Sequence, residues 1–143
     1  MSDGERGRTP SPGAGRVGPR QLAAPVSLDD ALDAITEHWF PRVVARVNDH
    51  YLKVAKLRGQ LTWHAHHGQD ELFLVLKGRL RIEVEGREDV VLEEGDVWVV
   101  PAGVRHNPVA AEECWIALVE PVDTDHTGGE ASPLRRSIEE QLG

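Results

Sequence analysis

An all-β fold is what this sequence predicts, a sandwich or barrel of short strands with one short helix on either side. Three observations carry that expectation. From Asp49 to Val119, apolar runs are separated at short intervals by turn compositions such as Lys77-Gly78, Glu85-Gly86-Arg87 and Glu93-Glu94-Gly95-Asp96, which read as hairpin turns. Leu80, Ile82 and Val84 alternate with Arg79, Arg81, Glu83 and Glu85, the period of a half-exposed strand. Val97 to Val100 and Cys114 to Val119 are rich in β-branched and aromatic residues, and nothing alternates strands with long helices as a βαβ fold would.

The N-terminal residues 1–26 are rich in Gly, Pro, Ser and Arg and almost empty of large apolar side chains. Such a segment buries too little surface to offset its ordering entropy, so a disordered tail is expected there. A single domain is expected over 27–143, with the β-barrel at about 48–121. Ser27 with Asp30 resembles a capping box, and Leu28, Ala31, Leu32, Ile35 and Trp39 follow at helical spacing until Pro41. This helix would pack outside a sheet, with His38 near its C-terminal dipole. After the strands, Ser132-Pro133 would cap a last helix with Leu134, Ile138 and Leu142 on one face.

Composition narrows the class of function. The 143 residues carry a formal charge of −8, which argues against a nucleic-acid footprint. Residues 1–26 hold Arg6, Arg8, Arg16 and Arg20 against Asp3 and Glu5, a balance of +2, which leaves −10 on the remainder. One cysteine, Cys114, excludes an internal disulfide and fits a reducing compartment. No apolar stretch approaches membrane-spanning length and the N-terminus lacks the apolar core of a signal peptide. A cytoplasmic protein with no membrane partner is the expectation.

Two short blocks concentrate the chemistry. His64 and His66 stand two residues apart, so in a strand both side chains project to one side. His67-Gly68-Gln69-Asp70 is a turn composition, after which a returning strand opening at Glu71 would bring its carboxylate beside them. His106 follows the Pro101-Ala102-Gly103 turn, which re-aims the chain before a further strand. Three imidazoles and a carboxylate suit a divalent transition metal. His67 projects to the other face and reads as a solvated turn residue. Chance alignment of four ordinary residues, or a metal that only staples the barrel, are the competing readings.

Period-two alternation adds pocket candidates. Gln60 and Thr62 share the face of His64, Phe73 and Val75 that of Glu71, and Val104 that of His106. Tyr51 and Lys53 share a face of an earlier strand; Lys53 reads as a surface charge, but turned inward it would favour an anionic substrate. His126, in the polar loop Thr124–Gly129, is a candidate substrate contact because a loop can fold over a pocket mouth. Cys114 reads as a small core residue, and core packing is expected for Trp63, Trp98 and Trp115.

The first block runs Gly59, four residues, His64, one, His66, four, Glu71, six, Gly78. The second runs Gly95, five residues, Pro101, one, Gly103, two, His106. Together they resemble the paired motifs of the cupin superfamily. About half the chain, Asn48 to Pro121, shares the resemblance, including Asp70-Glu71-Leu72-Phe73-Leu74-Val75-Leu76 and Val99-Val100-Pro101-Ala102-Gly103-Val104-Arg105-His106. The sequence departs from the pattern by one residue between Gly59 and His64, and by Ala110 where the second motif ends in Asn. The resemblance implies a conical double-sheet jelly roll in which His64, His66, Glu71 and His106 hold one iron, manganese, zinc, nickel or cobalt ion. It also implies a small-molecule enzyme of dioxygenase, isomerase, decarboxylase, cyclase or lyase type. The alternative is a non-catalytic binding, sensor or accessory module with a structural metal. Unpaired strand edges make a homodimer the expected assembly.

Overall fold

A computed structural model describes residues 23–143; most of the expected tail, residues 1–22, lies outside the described residues. Strands dominate, because β-branched and aromatic residues alternate with charges through most of the chain. In order they are β1 (Arg42–Val47), β2 (His50–Gln60), β3 (Glu71–Lys77), β4 (Leu80–Val84), β5 (Val90–Leu92), β6 (Val97–Val100) and β7 (His106–Pro121). Helix α1 (Leu28–Asp33) precedes them and α2 (Ile138–Leu142) follows.

Every strand pair is antiparallel, in the order β1-β2-β7-β3-β6, with β4 joining β5 and β7. β7 is the spine. Its C-terminal half lies between β2 and β3, through pairs such as Leu57↔Cys114 and Leu72↔Val119. Its N-terminal half lies between the end of β2 and β4, through Gln60↔Val109 and Val84↔His106. One strand thereby serves both layers of the jelly-roll β fold. The interior holds Leu57, Phe73, Val75, Leu80, Ile82 and Ile116 among its buried residues. A second cluster, Leu32, Ile35, Val54 and Ala117, covers the outer face of β2 and β7 with α1, as the amphipathic spacing implied.

Several expectations need correction. Lys77-Gly78 and Glu93–Asp96 do turn the chain, but neither joins a hairpin: β3 does not pair with β4, and β6 pairs with β3 rather than β5. Of the three expected hairpin turns, only the one around Gly86 joins partners, β4 and β5; the other tight hairpin, between β1 and β2, turns at Asn48-Asp49. Helix α1 ends at Asp33, well short of Trp39. Trp39 adopts φ 60° and turns inward, where its backbone N–H donates to Lys56 O at 2.9 Å and its indole to Arg58 O at 2.7 Å. Burying that indole in the core outweighs one more helical turn. His38 therefore caps nothing and pairs with Glu113 at 2.9 Å. The last helix starts later than Ser132: Ser137 is its N-cap, in a reciprocal capping box with Glu140. Trp98 and Trp115 are half-buried and Trp63 is exposed; the indole of Trp115 lies under the ammonium groups of Lys56 and Lys77. Cys114 is buried and its thiol is pushed up to about 12 by burial, an inert core residue as expected.

Candidate metal centre

Backbone contacts bring the two motif blocks together. His64 sits between β2 and β3 and forms an isolated antiparallel bridge with His106, the first residue of β7. Two residues on, the His66 carbonyl accepts from Gly103 N at 2.8 Å, and the Asp70 carboxylate accepts from Ala102 N at 2.8 Å. The Pro101–Gly103 turn is thus stitched along the segment that carries both histidines. Glu71 opens β3 opposite Val100.

All four side chains are buried, and their ligand atoms lie within 4.8 Å of one another. Donors about 2.0–2.2 Å from one ion stand at most about 4.4 Å apart, so closure by a few tenths of an ångström suffices. The tautomers are set by the backbone. Nδ1 of His64 donates to Thr62 O at 2.8 Å, and Nδ1 of His106 to Val104 O at 2.9 Å. A carbonyl only accepts, so the proton sits on Nδ1 and each Nε2 keeps a bare lone pair. Nε2 of His64, His66 and His106 all lack a hydrogen-bond partner although fully buried. Glu71 oxygens approach His66 Nε2 at 3.2 Å and His106 Nε2 at 3.5 Å, without hydrogen-bond geometry. Three unpartnered ring nitrogens, two of them bare lone pairs, converge beside a carboxylate and fit a divalent cation; without one they are unsatisfied buried groups.

The electrostatics favour the deprotonated forms of His64 and Glu71. Burial, with His106 nearby, holds His64 down to about 4. Burial alone would raise Glu71, but the imidazoles of His106 and His66 and the carboxyl of Glu120 hold it well below the usual range. Glu120 behaves oppositely: burial and the Glu71 charge push it well above, against the pull of Lys53.

The expected pocket residues scatter. Phe73 lines a small cavity beside His64 and Glu71, with Trp39, Leu57, Leu61 and Ile116 in the same wall. Val75 is core and Val104 packs on it half-buried; neither lines that cavity. Gln60 is exposed and accepts from Asn107 Nδ2 at 3.2 Å. Thr62 contributes its carbonyl to His64. Tyr51 and Lys53 are buried away from the cavity wall. Lys53 is no surface charge: 1% exposed, its ammonium lies 2.7 Å from Glu120 and donates to Gln141 at 2.6 Å. The ammonium is turned inward, but it is not part of the cavity wall. His67 is exposed, as its alternation predicted. Glu120 went unnoticed because a glutamate at the end of an apolar run reads as a strand terminus. No local signal marked it: the residue it meets, Lys53 on β2, lies 67 positions earlier in the chain.

An antiparallel jelly roll with a buried three-histidine, one-glutamate cluster defines a metal-binding class of β-barrel. The chain belongs to the cupin superfamily: the cupin domain family matches residues 52–118. A cupin-2 domain containing protein from Shewanella frigidimarina NCIMB 400 is 38% identical, with a TM-score of 0.65 over 67% of this chain and 93% of that one. Protein NMB1881 from Neisseria meningitidis is 28% identical, with a TM-score of 0.64 over 68% of this chain and 99% of that one. Uncharacterized protein YdbB of Bacillus subtilis (strain 168) is 40% identical over 63 residues, 44% of this chain. That match spans 56% of the relative's length. No helix among the described residues is long and apolar enough to cross a membrane.

Proposed function

We propose that this cupin is a divalent-metal-dependent enzyme acting on a small molecule, with His64, His66, Glu71 and His106 as the ligands. One observation carries the reading: two of the four candidate ligands, His64 and Glu71, also form part of a cavity wall. A purely structural metal would be closed off by protein on every side, whereas a ligand set that borders a cavity leaves a position for substrate. Once bound, such an ion supplies Lewis-acid or redox chemistry. The chain itself holds the Nε2 lone pairs of His64 and His106 free of any hydrogen-bond partner, keeps Glu71 ionised, and lines the cavity with an apolar wall. Iron, manganese, zinc, nickel and cobalt all tolerate this donor set. A reducing, cytoplasmic setting accords with the lone, buried Cys114 thiol.

A specific observation favours the second reading, a non-catalytic binding or sensor module. The cavity is only about 30 Å³, space for about two waters, and it presents few groups for acid–base work. Elemental analysis of protein purified without a histidine tag comes first, then substrate screening of metal-loaded protein. Turnover supports the enzyme; saturable ligand binding with no turnover supports the sensor. Protein that takes up none of the five metals overturns both.

A further inference from the structure

Beyond β7 the chain turns back across one end of the barrel. The loop Thr124–Gly129 packs directly on the segment linking two candidate ligands, so closely that a Cβ on Gly128 would collide with the Ala65 carbonyl. Thr127 is fully buried, and its N–H donates to the Asp125 carboxylate at 3.0 Å. Arg135 holds that carboxylate from outside at 2.6 Å. These contacts fix His126 between them.

His126 is 5% exposed and forms part of the same cavity wall as His64 and Glu71. Its Nε2 accepts the backbone N–H of Arg136 at 2.6 Å. An amide N–H only donates, so Nε2 bears the lone pair and the proton sits on Nδ1. No acceptor among the described residues takes that Nδ1–H. Burial holds the imidazole down to about 4, so it is neutral in ordinary buffers. With Nε2 occupied by the Arg136 amide, Nδ1–H is the donor this side chain has left for a ligand or water.

Charge narrows the ligand further. Among the described residues no lysine or arginine lines the cavity, and Lys53 lies outside its wall. A divalent ion offset by Glu71 alone leaves one positive charge. A monoanion balances it, whereas a dianion would leave a buried charge unmatched. We propose that His126 is the specificity-determining donor of this cavity, presenting Nδ1–H to an acceptor atom of a small, largely apolar ligand with at most one negative charge. The inference rests on the metal reading of the cluster.

The test uses cobalt(II)-loaded full chain and azide as a compact monoanionic probe, followed by visible absorption. His126→Phe should weaken azide binding about tenfold, the loss of one charge-assisted hydrogen bond, with cobalt content unchanged. His126→Gln, which keeps a donor, should recover part of it. Propionate should displace azide more readily than malonate. Nitrogen-15 shifts of the metal-free wild type should show the His126 proton on Nδ1. Unchanged azide affinity in both variants with cobalt retained, a proton on Nε2, or stronger displacement by malonate would each overturn the role of His126. Loss of cobalt from both variants would do the same by making His126 part of the metal site. Failure of the wild type to take up cobalt would instead sink the metal reading, and this inference with it.

Discussion

His64 and His106, distant in sequence, exchange backbone hydrogen bonds: His64 N donates to His106 O at 2.9 Å and His106 N to His64 O at 2.8 Å. The bridge is made by main chain, so it survives loss of either imidazole. His64→Ala, His66→Ala or His106→Ala should therefore leave a folded barrel while lowering metal affinity by more than about 100-fold, beyond the loss typical of a supporting residue. His67→Ala should leave metal content unchanged. Metal per chain after gel filtration, with circular dichroism for the fold, checks both; metal lost from His67→Ala but kept by His66→Ala would put the register wrong by one residue.

Acid should unfold the metal-free protein earlier than its carboxylates alone would require. His64 and His126 are both held at about 4 against an ordinary 6.5. As pH falls, the unfolded chain takes up these protons first, so stability is complete above about 6.5 and is lost towards 4, by up to roughly 3 kcal/mol per group. Glu120, pushed upward, has the opposite slope. Taking the difference between wild type and His126→Gln cancels that contribution. Urea unfolding from pH 7 to 4 should show a shallower decline in the variant; parallel curves would reject the buried neutral His126. The same shift means proton competition at His64 sets in near 4, not in the range near 6.5 that an unperturbed histidine implies.

Lys53 and Glu120 are 1% and 0% exposed. Lys53→Met removes the ammonium beside the buried Glu120 carboxyl, which burial and the Glu71 charge hold towards its neutral form, and should cost about 1–3 kcal/mol, the penalty for a buried polar group left unpaired. Replacing both partners, Lys53→Met with Glu120→Leu, should return most of that stability. A double variant no more stable than Lys53→Met in urea would refute the pair as the source.

A symmetric homodimer remains our proposal, and β6 is where it should form. This strand ends the sheet path and exposes Val97 and Val99 by 55% and 42%, an apolar edge that soluble proteins usually cover. Light scattering at micromolar concentration should give twice the chain mass, and Val97→Lys should give the monomer. A monomeric wild type would dismiss the dimer.

The period-two stretch Arg79–Glu85 revealed β4 because one face meets the core and the other water, a contrast that is local. The clustering of His64, His66, Glu71 and His106 was legible for a related reason: within each block the spacing is set by a short turn. What the sequence concealed is non-local. The composition of Lys77-Gly78 marks a turn, but not that the strands on either side have different neighbours. Helical spacing continued to Trp39, yet the competing site for its indole lay at Arg58 O, on another element. Lys53 looked like a surface charge because lysine usually is one; only Glu120, 67 positions later, makes an inward ammonium tolerable. His126 was visible as a loop histidine, but its tautomer depends on Arg136.

The double role of β7 has a consequence for biosynthesis. Because this strand pairs with β2, β3 and β4, neither layer closes until it emerges from the ribosome, and most of its contacts reach far back along the chain. His106 opens it, so the fourth ligand is also the last to be made. The growing chain presents two histidines and a glutamate with no cavity around them, a set too open to choose among ions. On the proposed metal reading, selection of the ion is thereby deferred to the finished barrel, where the assembled donor set, rather than first encounter, decides which ion stays.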